Sequence, residues 1–184
     1  MTVPAQSQPA TDAELIARWQ TGDQRAAAFL VDRHATPLAR FAASLGVRDE
    51  VDELVQDTFV RAFNSLDSFR ADSSLRTWLF TILKRLLLDR KRSERRRRDV
   101  SEIDERDAAT EYDALDTMVG DEMAQRVRDA VNRLSPLQRE VFSLRVNEGM
   151  AYAEIAQAVG STEGSCRVHY HNAIRLIKEH LSDD

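Results

Sequence analysis

The chain has 184 residues, of which 42% are hydrophobic and 31% charged, with a formal net charge of −5. A single cysteine excludes an internal disulfide framework and so requires no oxidising compartment. Six glycines and four prolines are few for a turn-rich β fold, which points to an all-α chain.

Residues 1–10, with Pro4 and Pro9 among small polar residues, read as a disordered start without the basic and apolar regions of a signal peptide. Thr11 and Asp12 can cap a first helix over 12–20, which Gly22 should close. A second helix, about 24–45, carries Ala27, Phe29, Leu30, Leu38, Phe41, Ala42 and Leu45 at spacings that suit one buried face, with Pro37 as a bend. The clearest helical period belongs to the third. Val51, Leu54, Val55, Phe59, Ala62, Phe63 and Leu66 form its apolar stripe, and Asp52, Glu53, Gln56 and Asp57 lie on the opposite face. A dense acidic face of this kind is ordinarily solvated.

A loop, Asn64 to Ser74, precedes a long helix that is apolar at its start and very basic at its end. Lys84, Arg85 and Asp89 interrupt its apolar run, so it predicts no transmembrane span, and a soluble cytoplasmic protein without membrane insertion is expected. Residues 74–98 hold ten Lys and Arg against two acids, net +8; residues 99–123 hold ten acids against Arg106 alone, net −9. This segregation says more than the overall charge. Phe69, Trp78 and Phe80 near the basic run suit an unstacked nucleic-acid strand, whose bases stack on rings while arginines follow phosphates. They suit the core of a helical bundle equally well.

The acidic stretch 99–120 shows no sustained period and reads as a flexible linker. Beyond it, 121–134 and a helix opened by Ser135-Pro136 and running toward Gly149 lead to a helix pair. Residues 151–181 fit a helix-turn-helix: Ile155 and Val159 face inward, Gly160 makes the turn, and Thr162 caps the second helix. Val168, Ile174, Leu176, Ile177 and Leu181 can supply its apolar contacts, although Val168 can also face outward. A recognition helix sets its N-terminal residues against base edges; an αα-hairpin that only packs would show a similar pattern. Cys166 and three histidines in this helix suggest metal ligands, but at about 100° per residue His169 and His171 lie on nearly opposite sides. No metal, no cofactor and no enzymatic activity are predicted, because phosphate loops, nucleophile–base pairs and ligand spacings are all missing. Cys166, beside Arg167 at a helix N-terminus, is in a setting that lowers a thiol pKa.

Taken together and in this order, DELVQDTFVRAFNSLDSFRADSSLRTWLF and LSPLQREVFSLRVNEGMAYAEIAQAVGSTEGSCRVHYHNAIRLIKEHL resemble domains two and four of the extracytoplasmic-function sigma factors. The resemblance implies two small helical domains, 11–98 and 121–184, on the 99–120 linker. It further implies an alternative sigma factor that binds core RNA polymerase, recognises −35 and −10 promoter elements and helps melt DNA. Asp52, Glu53, Gln56 and Asp57 would dock on the β′ coiled coil, and the second domain would lie at the β flap. Asn64, Phe69, Arg70, Asp72 and Ser73 would form the loop that captures a flipped −10 base. Arg76, Trp78 and Arg85 would face the melted strand. Arg145 and Tyr152 would lie near the −35 backbone, Arg167, Val168, His171 and Asn172 would face its base edges, and Thr162 would join the −35 contacts. An anti-sigma factor is an implied partner. Arg85 stands where many members have Asn, and Val168, His169 and Asn172 depart from the usual recognition-helix lettering, which bears on the promoter read.

A conventional helix-turn-helix regulator would account for the last sixty residues but not for the loop and basic helix. An adaptor that binds only proteins would use the helix pair as packing.

Overall fold

Of the two caps the sequence offers, Thr11 opens the first helix. The Thr11 hydroxyl accepts the Glu14 N–H at 3.3 Å, and the Glu14 carboxylate accepts the Thr11 N–H at 2.7 Å. The computed structural model describes residues 10–47, 49–69, 72–100 and 121–182, with backbone alone at 98–100 and 121. The predicted disordered start and acidic linker therefore lie almost wholly outside the described residues, as does Arg70. Among the described residues there are eight α-helices, one 3-10 turn and no strand.

The helices are α1 (Asp12–Gln20), α2 (Gln24–Ser44), α3 (Val51–Asn64), α4 (Leu75–Val100), α5 (Asp121–Asn132), α6 (Pro136–Val146), α7 (Tyr152–Val159) and α8 (Glu163–Ser182). The described residues cluster into two compact units that divide between Thr36 and Pro37, so the break falls inside α2.

In the first unit, Leu15, Ala26 and Leu30 are buried. Asp12 ties α1 to α2 by an ion pair with Arg33 at 2.5 Å and a 2.9 Å hydrogen bond with the buried His34 ring. The His34 bond outweighs desolvation and, with Arg33, holds the Asp12 carboxyl below the ordinary aspartate range. Its stabilising contribution is then complete above the ordinary aspartate pKa and is lost as pH falls through the lower folded value. Asp12→Asn is expected to cost about 1–2 kcal/mol near neutral pH, toward the low end for a charged hydrogen bond because the pair is partly exposed. Urea midpoints of the two proteins should converge as the pH is lowered.

Phe29, predicted to face inward, is 53% exposed; the buried positions near it are Ala26, Leu30 and His34. Two adjacent apolar residues on a helix are 100° apart, and Leu30 takes the inward place. Helix α2 runs on through Pro37.

In the second unit, Leu38, Phe41 and Ala42 of α2 are buried, and the Phe41 ring meets Phe80 of α4 edge-on at 5.2 Å. Helix α3 buries Leu54, Val55, Phe59 and Ala62 as predicted, and adds Thr58, whose hydroxyl donates to the Leu54 carbonyl at 2.7 Å. The loop after it contains a 3-10 turn at Leu66–Ser68 that the sequence does not announce. It forms because Leu66 is drawn into the core while the Phe69 N–H closes on the Leu66 carbonyl at 3.0 Å. Helix α4 packs on α3 and buries Leu75, Leu79, Phe80, Ile82, Leu83 and Leu87.

Helices α5, α6 and α7 pack around α8. Ala130, Val131 and Leu134 meet Ala173 and Ile177, with Val127, Phe142 and Leu181 at the margin. Ser135 and Gln138 form a second capping box at α6. That helix stops at Val146, short of the predicted Gly149, which takes a left-handed conformation at φ 64°. Helix α4 also packs against α7, a contact about which the sequence is silent.

Candidate nucleic-acid interface

The turn between α7 and α8 is set by Gly160, at φ 71° and ψ 44°, a conformation that favours glycine. The Thr162 hydroxyl then accepts the Ser165 N–H at 3.2 Å and so caps α8. Ile155, Ala156, Ala158 and Val159 of α7 are buried, as are Cys166, Ala173 and Ile177 of α8. With that face anchored, the helical period decides what remains outside. Arg167 and His171 are exposed, Val168 is 58% exposed, and Asn172 is half-buried. Val168 thus takes the outward of its two predicted placements, and Leu176, predicted to pack, is 37% exposed.

Tyr152, the first residue of α7, organises the arginines beside this face. The Arg167 guanidinium lies over its ring at 4.7 Å and that of Arg145 at 4.9 Å, both within cation–π range. Arg145 Nη1 also donates to the Met150 carbonyl at 2.7 Å, and Arg167 Nη2 to Glu163 at 2.5 Å. Tyr170, which sequence reasoning passed over, supports the ring edge-on at 6.0 Å and stands equally far from the His171 ring. An aromatic four residues before Ile174 and three after Arg167 is a signal only when the position of Tyr152 is known.

Cys166 corrects an expectation. It is fully buried, and desolvation raises its thiol pKa despite a hydrogen bond from Ser161 and the nearby Lys84 charge. The thiol faces the helix-pair core, where burial penalises the thiolate, so the reactive setting read from the sequence is not formed. His169 is half-buried, with Nδ1 shielded from solvent and unpartnered. Among the described residues no three His, Cys, Asp or Glu side chains converge as a metal site.

On α4, the two aromatics part company. Phe80 is 1% exposed and belongs to the core. Trp78 is half-buried and packs against Phe69, with ring centroids 5.0 Å apart and planes tilted by 38°, so helix and loop share a ring pair. Asn64 and Asp72 are exposed nearby, and Ser73 is half-buried. Arg85, Lys91, Arg92 and Arg95–Arg97 are exposed. Arg76 is engaged elsewhere, with Nη2 2.5 Å from Glu148 of the turn after α6.

The acidic face of α3 is present as predicted: Asp52, Glu53 and Gln56 are exposed and Asp57 is half-buried. The sequence did not reveal its internal counterion. Arg90 of α4 reaches Asp57 at 2.6 Å, Glu50 at 2.9 Å and Glu53 at 3.4 Å. Burial works against the Arg90 charge, but the Asp57 bond and the surrounding carboxylates outweigh it and hold the guanidinium more firmly protonated.

These features fall on two segments with known counterparts. Residues 30–97 match Sigma-70 region 2, and residues 124–177 match Sigma-70, region 4. The RNA polymerase sigma factor NccH of Alcaligenes xylosoxydans xylosoxydans is 34% identical over 84% of this chain and 86% of its own. The ECF RNA polymerase sigma-E factor of Escherichia coli K12 is 31% identical over 93% of this chain and 94% of its own. The chain belongs to the ECF sigma factors. It directs promoter-specific transcription initiation.

Two solved structures share the fold of this sigma factor. CnrH, in complex with the cytosolic domain of CnrY, superposes with a TM-score of 0.67 at 29% identity, over 94% of this chain and 98% of that one. The sigma factor RpoE of Bartonella quintana, in complex with the anti-sigma factor NepR, gives 0.68 at 30% identity, over 84% and 95%. No helix among the described residues is long and apolar enough to cross a membrane.

Proposed function

We propose that this sigma factor works in the cytoplasm as a non-catalytic subunit of RNA polymerase, with its two DNA-reading modules at 11–98 and 121–184. Asp52, Glu53, Gln56 and Asp57 dock on the β′ coiled coil, and the C-terminal module sits at the β flap. The 64–74 loop takes a flipped −10 base. Unstacking it costs a few kcal/mol, which the Phe69–Trp78 ring pair helps to offset by offering a stacking surface. The basic side of α4 then holds the separated strand.

Helix α8 reads the −35 element. The observation that carries this reading is the Arg145–Tyr152–Arg167 stack beside the open Val168 and His171 surface. Arg167 is suited to guanine O6 and N7, Asn172 to adenine, and Val168 to a thymine methyl. The positions of Arg145, Tyr152 and Thr162 suit phosphates, which fix register without carrying sequence. By analogy with the relatives crystallised with CnrY and NepR, an anti-sigma factor is a further partner.

Purified core RNA polymerase, this chain and a promoter library provide the test, with transcripts sequenced from their 5′ ends. Defined starts downstream of shared −35 and −10 elements are expected. Starts that appear only when another sigma factor is added would overturn the reading in favour of a regulator. Gln56→Ala with Asp57→Ala should weaken core binding while leaving the thermal unfolding midpoint within a few degrees.

A further inference from the structure

The acidic face of α3 divides into two columns. Asp52 and Gln56, one helical turn apart and both exposed, form the outer column. Glu53 and Asp57, also one turn apart, form the inner column, on the side that meets α4. Glu50, at the N-cap position, continues it. Like charges at i, i+3 and i, i+4 repel, so the inner carboxylates left to themselves would splay. One residue of α4 opposes this. Arg90 Nη2 donates to Asp57 at 2.6 Å and to Glu53 at 3.4 Å, while Nη1 donates to Glu50 at 2.9 Å. Arg90 lines a shallow pocket together with Leu54 and Leu87. Its side chain is 23% exposed, against 48% for Asp57 and 66% for Glu53. The guanidinium is therefore the better anchored member, and the carboxylates take their positions from it.

We propose that Arg90 is a positioning residue for core RNA polymerase, which fixes Asp57 and Glu53 in the arrangement that docks. The inference rests on the reading of the α3 face as the docking surface. Arg90 engages one oxygen of each carboxylate, Asp57 Oδ2 and Glu53 Oε1, and leaves Asp57 Oδ1 and Glu53 Oε2 to meet a basic partner. Side chains ordered before docking lose less rotamer freedom when they dock. The Arg90 charge itself repels a basic partner, but three carboxylates surround it, and salt screens what remains beyond about 8 Å at physiological ionic strength. Pre-ordering is therefore the larger effect. Exposed ion pairs add little to folding stability, so a positioning role separates from a merely structural one. Affinity for the core enzyme should respond to Arg90 while the fold does not.

The test is binding of the fluorescein-labelled full chain to purified core RNA polymerase at about 0.15 M salt. Arg90→Met keeps the length of the stem and removes the fork. It should bind on the order of tenfold more weakly, about 1.4 kcal/mol, with a thermal unfolding midpoint within a few degrees of wild type. In a Glu53→Gln, Asp57→Asn background the same substitution should change affinity by about twofold at most, because contacts made through shared partners are not additive. Unchanged affinity for Arg90→Met, or an equal loss in both backgrounds, would overturn the proposal. Arg90→Lys decides the matter should Arg90→Met unfold. A point charge cannot span three carboxylates as the planar fork does, so about threefold should still be lost, and wild-type affinity would reject the positioning role. Gln56→Ala with Asp57→Ala separates the two levels. If that pair weakens core binding and the Arg90 variants do not, only the role of Arg90 falls; if the pair binds like wild type, the docking assignment of α3 falls with it.

Discussion

Arg167→Ala is expected to lower initiation at promoters that depend on a −35 element by about tenfold to a hundredfold. A bidentate arginine–guanine contact discriminates by about 1–3 kcal/mol, and each 1.4 kcal/mol is a factor of ten. The loss should be specific to one base position, because the stack on Tyr152 and the bond to Glu163 aim the guanidinium in one direction. A library readout checks this: preference should flatten at a single position while the −10 profile stays in place. Tyr152→Leu should reproduce part of that flattening and Tyr152→Phe much less, since phenylalanine retains the ring on which both arginines rest. An unchanged promoter profile for Arg167→Ala would remove it from the base-reading set.

The reason this face could be read from sequence is that burial and exposure are complementary on a single helix. Once Ala173 and Ile177 are fixed inside, 100° steps place Arg167, Val168 and His171 outside. The same logic places Leu54, Val55, Phe59 and Ala62 of α3 in the core. It fails where two apolar neighbours compete for one inward position, as at Phe29 and Leu30, and where a buried position is polar. His34 and Thr58 are inside because Asp12 and the Leu54 carbonyl satisfy their polar atoms. No hydrophobic pattern records such partners.

Long-range electrostatics were less legible still. The basic run was plain, but the partners of Arg76 and Lys84 lie 72 and 56 residues away, in the turn after α6 and in α6 itself, where the charges look solvated. Arg90 is a similar case: it counted as one cation among ten, whereas the fold makes it the counterion of the α3 face. For Cys166, sequence proximity to Arg167 suggested an activating charge, and the helix period put the two side chains on opposite sides of the core boundary. Charge pattern gives the inventory of such groups, and only packing assigns their partners.

The two aromatics on the first turns of α4 turn that ambiguity into an experiment with large effects. Phe80 is 1% exposed and meets Phe41 edge-on, so Phe80→Ala opens a cavity and should cost about 3–5 kcal/mol. That is a large share of the stability of an ordinary domain, and the unfolding midpoint should fall steeply. Trp78, two residues away, is half-buried and leans on Phe69. Trp78→Ala should leave the fold intact, with a modest loss of stability, and weaken strand capture by about 1–3 kcal/mol, the worth of one base stacked on an aromatic ring. Thermal unfolding followed by circular dichroism measures the first effect, and promoter opening at a 2-aminopurine in the −10 element measures the second. A Trp78→Ala protein that opens promoters normally would leave the Phe69–Trp78 pair with a packing role only. A Phe80→Ala protein that melts like wild type would contradict the buried ring contact on which the placement of α4 depends.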